Sequence, residues 1–199
     1  ELFAVSITEP ELIQPFLSLI TQFQSHFIDV QTDAIGSAKV ARAGHSHPSD
    51  PELSGISVSD DNMSFLSPES YRQSSKTYNA ELASRFNGMA MHSCGAVAHN
   101  LADMLEIEGL HTFDCALGYG DPGFMCDPNP NDAMALRTHF LDRNIALKVR
   151  LGPSEVERVY PLLTPRIKLI VELITHGTVE ERNGQYFTAK EKMLKNYNR

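Results

Sequence analysis

Apolar residues recur along this chain in two periods. Over residues 8–28, Leu12, Ile13, Phe16, Leu17, Leu19, Ile20, Phe23 and Phe27 repeat at close to a helical turn. Thr8 is expected to cap this helix, and Pro10 lies in its first turn, where a missing N–H is harmless. A second helix is announced over 67–86. Ser67 offers the cap, Pro68 the first position and Glu69 a charge suited to the positive helix end, with Tyr71, Tyr78, Leu82 and Phe86 along one face. Shorter apolar runs at 55–59, 88–92, 110–117 and 145–151 read as strands. Helices are predicted between them, over 96–106 and in a stretch ending near 142. A last helical stretch from 154 to Gly177 must break or kink at Pro161 and Pro165, with Gly177 as its C-cap. Two segments rich in Gly, Pro, Ser and Asp, 44–51 and 118–132, read as loops.

Strand and helix alternate at about 30-residue spacing, the signature of βα units on a parallel sheet. Right-handed crossovers narrow the choice to a doubly wound sheet or a barrel. About four such units are visible, whereas a closed (β/α)8 barrel takes roughly 250 residues. The chain therefore reads as part of a barrel or as a smaller open sheet.

Composition sharpens this picture. The 199 residues are 42% hydrophobic and 21% charged, an ordinary globular mixture with length enough for a real core. A net charge of −8 repels phosphate backbones and argues against nucleic acid as a partner. No apolar run approaches the roughly 20 residues of a membrane span. The chain opens on Glu1 rather than Met, which points to processing or to a piece of a longer protein. Three cysteines, Cys94, Cys115 and Cys126, are too few for a disulfide framework and fit a reducing, cytoplasmic setting.

The chemistry centres on "GMAMHSCG". Residues two apart on a strand share a face, so His92 and Cys94 project together at the C-terminal end of a strand, where α/β proteins build their sites. Imidazole and thiolate are good zinc ligands, and zinc takes at least three from protein. Cys115, ending the next strand, is the cheapest third candidate, although a free cysteine is more often a small core residue. Cys126 lies in the loop beyond it. Asp60 and Asp61 end the strand 55–59 at the same predicted face. Asp61 is weighed equally as a substrate-anchoring carboxylate and as a turn residue, and Asp60 is read as a turn residue. His45 and His47 share an exposed-looking loop, His111 stands at the wrong strand end, and His176 precedes Gly177. Gly118, Gly120 and Gly123 fit neither a dinucleotide fingerprint nor a P-loop.

Taken in order, "ITEPELIQPFLSLITQF", "GISVSDDNMSFLSPESYRQ", "RFNGMAMHSCG", "IEGLHTFDCALG" and "LGPSEVERV" resemble the uroporphyrinogen decarboxylase superfamily, most closely its cobalamin-dependent methyltransferase branch. The resemblance covers most of residues 5–157. It implies an α/β fold, a (β/α)8 barrel of the TIM type, of which residues 1–177 form the later units with the early strands lying before Glu1. It also implies a site at the C-terminal strand ends, and frequent homodimers. In that branch an H-x-C pair and a later Cys hold zinc, which ionises a substrate thiol to accept a methyl group from a corrinoid on a partner protein. His92 and Cys94 match the first two positions. No Cys follows Cys126, so Cys115, Cys126, a carboxylate or water would have to complete the shell, or zinc is not held at all. Residues 178–199 also depart from the pattern, and Asn183-Gly184 there reads as a tight hairpin.

Three functions follow as expectations. The first is methyl transfer, with His92, Cys94 and Cys115 as metal ligands and Asp61 orienting the substrate. The second is decarboxylation of a tetrapyrrole, which needs clustered cations that Arg72, Arg85 and Arg150 do not obviously supply. The third is a non-catalytic relative that binds a small ligand or a partner chain.

Overall fold

The computed structural model describes residues 4–5, 8–36, 53, 55–117 and 131–197. Five strands form one all-parallel sheet in which sequence neighbours are spatial neighbours: β1 (Ile56–Ser59), β2 (Met89–Ser93), β3 (Leu110–Cys115), β4 (Ala146–Leu151) and β5 (Leu169–Leu173). When consecutive parallel strands are joined by right-handed crossovers, every connecting helix falls on the same face. That face is apolar. Met89, Met91, Phe113, Cys115, Leu147, Val149 and Leu151 pack there into one buried cluster with Leu82, Leu101, Met104, Leu136, Phe140, Val156, Val159 and Leu163. Phe113 stacks on Phe140 with ring centroids 6.1 Å apart. A fully buried side chain of this size contributes about 1.5–3 kcal/mol, so this face holds the fold together.

The opposite face is polar, and the strand register aligns it into rows. Ser59 pairs with His92, His92 with Asp114, and Asp114 with Lys148, one row across four strands. One step nearer the C-terminal strand ends, Arg150 pairs with Glu172. His92, Asp114 and Lys148 are nonetheless buried.

The helices follow local signals. In α1 (Pro10–Ile35), Pro10 takes the first turn, and the chain leaves through Gly36, whose N–H caps Thr32 O. The apolar stripe of α1 points outward: Leu12, Phe16, Leu19, Phe23 and Phe27 are exposed, and the buried residues are Thr21 and Ser25. Polar contacts tie α1 to the rest, with the Tyr78 hydroxyl donating to Gln14 O at 2.8 Å and Arg85 pairing with Asp29. Ser67 caps α2 (Pro68–Tyr71) by accepting from Ser70 N, and the chain runs through a π-helical turn (Arg72–Lys76) into α3 (Thr77–Arg85). Gly55, at φ +94°, brings β1 against the start of β2. A Cβ there would lie 1.8 Å from Gly88 O, so only glycine fits. The helix expected over 96–106 is shorter, a 3-10 turn (Ala98–Asn100) followed by α4 (Leu101–Met104). Asp132 caps α5 (Ala133–Phe140) by accepting from Met134 N and Ala135 N.

Two expectations are corrected. The stretch after Pro165 is not the end of a helix but strand β5. The helix α6 (Val156–Leu163) stops before Pro165, and the β-branched Ile170 and Val171 pair with Lys148 and Val149. Gly177 accordingly is not a C-cap but the turn between β5 and the last helix, at φ +93°. Asn183-Gly184 does not form a hairpin either. Helix α7 (Val179–Tyr197) runs through Asn183-Gly184. It starts from a reciprocal cap in which Thr178 N donates to Glu181 Oε2 at 2.7 Å and Glu181 N to Thr178 Oγ1 at 3.3 Å. Ala189 joins the main core, and Lys192 pairs with Glu157 at 3.1 Å, so α7 packs onto α6 rather than standing apart. No helix among the described residues is long and apolar enough to cross a membrane.

Candidate metal centre

β2 carries His92 on the polar face near its C-terminal end, and Cys94 follows just past that end. The imidazole is 1% exposed. Its Nδ1 lies 3.0 Å from Asp114 Oδ2, and its Nε2 lies 3.1 Å from Cys94 Sγ. A carboxylate can only accept, so Nδ1 carries the proton, and the lone pair of Nε2 points toward the thiol. A carboxylate behind a histidine in this way is how metal-binding imidazoles are usually oriented. Against the burial that would raise it, the His92 hydrogen bond, Lys148 and Arg150 hold the Asp114 carboxyl below its ordinary range. Arg150 Nη2 lies 3.1 Å and Lys148 Nζ 3.6 Å from Asp114 Oδ2, and Glu172 binds both cations, at 2.5 Å from Lys148 and 3.3 Å from Arg150.

Asp61 opens the 3-10 turn (Asp61–Ser64) that follows β1. Its Oδ1 accepts from Cys94 N at 2.7 Å, its Oδ2 from Ser59 Oγ at 3.2 Å, and its Oδ1 stands 3.7 Å from His92 Nε2. Partial burial pushes this carboxyl up, but the hydrogen bonds from the Cys94 N–H and the Ser59 hydroxyl help to outweigh it and hold it below the usual range. One ligand atom each from Asp61, His92 and Cys94 lie within 4.8 Å of one another. The residues present fit a divalent cation: a nitrogen, a sulfur and an oxygen donor converge, and the imidazole is already locked in the tautomer that coordinates.

Of the residues singled out in the sequence, the structure brings together His92, Cys94 and Asp61. It does not bring Cys115. The register pairs His92 with Asp114 and Cys115 with Ser93, so Cys115 stands on the other face. It is fully buried in the apolar core, where burial pushes its thiol up. Cys126, His45, His47, Gly118, Gly120 and Gly123 lie outside the described residues. Asp60 precedes the 3-10 turn as expected of a turn residue, but its side chain is buried and does not cap that turn. Its carboxylate, pushed up by burial, accepts from Asn79 Nδ2 at 2.8 Å, while its backbone N–H donates to His92 O.

Four contributors escaped the sequence reading. Asp114, Lys148 and Glu172 form the charged backing of His92. Asn131 holds the loop carrying Cys94: its Oδ1 accepts from Val97 N at 2.7 Å, and its Nδ2 donates to Gly95 O and Ala116 O. Charged residues inside otherwise apolar strands, as in "HTFDCAL" and "IALKVRL", were the available signal, since such residues are buried only when paired.

Neither protein-family models, nor curated proteins, nor solved structures match this chain.

Proposed function

We propose that this protein is an enzyme that activates a thiol or similar acceptor at a divalent metal held by His92 and Cys94, and methylates it from a corrinoid carried by a partner protein. The observation that carries the metal part is the convergence of His92 Nε2 and Cys94 Sγ at 3.1 Å, with Nδ1 anchored on Asp114. The methyl-transfer part rests on the resemblance of "SDD", "LSPESY" and "HSCG" to the methyltransferase branch of the uroporphyrinogen decarboxylase superfamily. Zinc bound there would act as a Lewis acid, lowering the pKa of a thiol that meets it. The chain's own residues supply the rest. Asp114 keeps the imidazole oriented, Asp61 and Asn131 fix the loop around Cys94, and the Lys148–Glu172–Arg150 network holds Asp114 in place.

The same reading makes the five strands part of a (β/α)8 barrel. Their consecutive parallel order supports it, as does a sheet with one apolar face and one lined by polar rows. It also places the protein in the reducing cytoplasm, where Cys94 would stay a thiol. Tetrapyrrole decarboxylation gains less support, because the cations on this face, Lys148 and Arg150, are already engaged by Asp114 and Glu172. The test is incubation of the zinc-loaded protein with methylcobalamin and a small alkanethiol, following loss of the methyl–cobalt absorbance. Thioether formation that disappears in Cys94→Ser supports the proposal. Loss of carboxyl groups from uroporphyrinogen, without methyl transfer, overturns it.

A further inference from the structure

We infer that Asp61 is the third protein ligand of this metal centre, so that its donor set is one nitrogen, one sulfur and one oxygen. The inference rests on the metal reading above. It replaces both the third cysteine that the resemblance implies and the substrate-orienting part that the sequence suggests for Asp61.

Three observations support it. The first is distance. Tetrahedral zinc with bonds of about 2.0–2.3 Å separates its donors by about 3.3–3.8 Å. Asp61 Oδ1 is 3.7 Å from His92 Nε2, and Cys94 Sγ is 3.1 Å from it, so small side-chain rotations suffice. The second is anchoring. Both Asp61 oxygens are held, Oδ1 by the Cys94 N–H and Oδ2 by the Ser59 hydroxyl, which turns the carboxylate toward the His–Cys pair. The third is charge. Asp114 and Glu172 are matched by Lys148 and Arg150, two carboxylates against two cations, which leaves the Asp61 carboxylate beside His92 without a share in that pairing. A metal-binding cysteine is a thiolate and adds a second negative charge. A divalent cation balances them.

The other candidates fall away on the same geometry. Cys115 is turned into the core by the register. Asp114 stands behind His92 on the Nδ1 side, opposite the coordinating nitrogen. Glu172 is taken by Lys148 and Arg150.

Cobalt(II) tests this without any turnover assay, because thiolate ligation gives a near-ultraviolet charge-transfer band and tetrahedral geometry gives visible bands. The full chain is titrated with cobalt(II), and circular dichroism verifies that each variant is folded. Wild type should show the charge-transfer band of a single thiolate, abolished in His92→Ala and Cys94→Ser. Asp61→Asn keeps an acceptor for the Cys94 N–H but is a poor ligand, and should weaken cobalt affinity by at least about tenfold. Asp61→Cys should restore affinity and add the intensity of a second thiolate. Wild-type affinity in Asp61→Asn, with no added intensity in Asp61→Cys, would overturn the part given to Asp61 while leaving a His92–Cys94 metal centre standing. A wild-type chain that gives no cobalt bands overturns both.

Discussion

His92 and Asp114 are register partners across β2 and β3, and their side chains meet at 3.0 Å between Nδ1 and Oδ2. Pairing and contact have one origin. Parallel register sets the two residues side by side on the polar face, and the carboxylate then fixes which ring nitrogen keeps its proton. Removing that carboxylate frees the imidazole. Asp114→Asn should lower zinc affinity about 10–100-fold, the usual effect of losing an orienting partner. Competition against a chromophoric chelator measures it.

The same residue sets an acid limit on stability. The Asp114 carboxyl is held below its ordinary value by His92, Lys148 and Arg150 against the burial that opposes them. A carboxyl lowered in the folded state stabilises the fold at pH values above its unfolded pKa, about 3.9. That contribution is lost as pH falls through the folded value. Urea melts should show stability falling as pH drops below about 4, and the fall should be shallower in Asp114→Asn.

Lys148 is 2% exposed and lies 2.5 Å from Glu172 and 3.6 Å from Asp114. Lys148→Met leaves these carboxylates one cation short. Breaking a buried pair on one side costs about 3–5 kcal/mol. Glu172 is partly exposed, so the lower end is expected in urea unfolding. The double variant Lys148→Met/Glu172→Leu should recover part of the loss, since both charges then leave together.

Cys115 separates core from site. Its thiol is fully buried and pushed up by that burial, with the adjoining Asp114 charge adding to the effect. Iodoacetamide should label Cys94 in the folded, metal-free protein and Cys115 only after unfolding, as read by peptide mass mapping. Cys115→Ala should leave zinc binding unchanged. A loss of metal in that variant would contradict its placement in the core.

Much of this was legible in the sequence, and the failures have physical causes. β1 to β4 announce themselves as short apolar runs, because each buries a face in the core. β5 does not: "KLIVEL" is too short for its period to separate strand from helix, and tertiary pairing with β4 decides it. Asn183-Gly184 looks like a hairpin in isolation, but the Thr178–Glu181 cap and the helix formers after it outweigh one glycine. The stripe on α1 shows helical period correctly, yet its apolar side is exposed, and period alone does not say which side faces the sheet. His92 and Cys94 could be placed on one face from alternation within a strand. Asp114 and Lys148 could not be set beside them, because register between strands is written in no single segment.

The central claim is a metal held by His92 and Cys94 at the end of β2. Its most direct test is zinc content after reconstitution and gel filtration, measured by inductively coupled plasma mass spectrometry on wild type, His92→Ala and Cys94→Ser. About one zinc per chain is expected in wild type, and its loss in both variants. Wild-type protein that retains no zinc, or variants that retain as much as wild type, would contradict it.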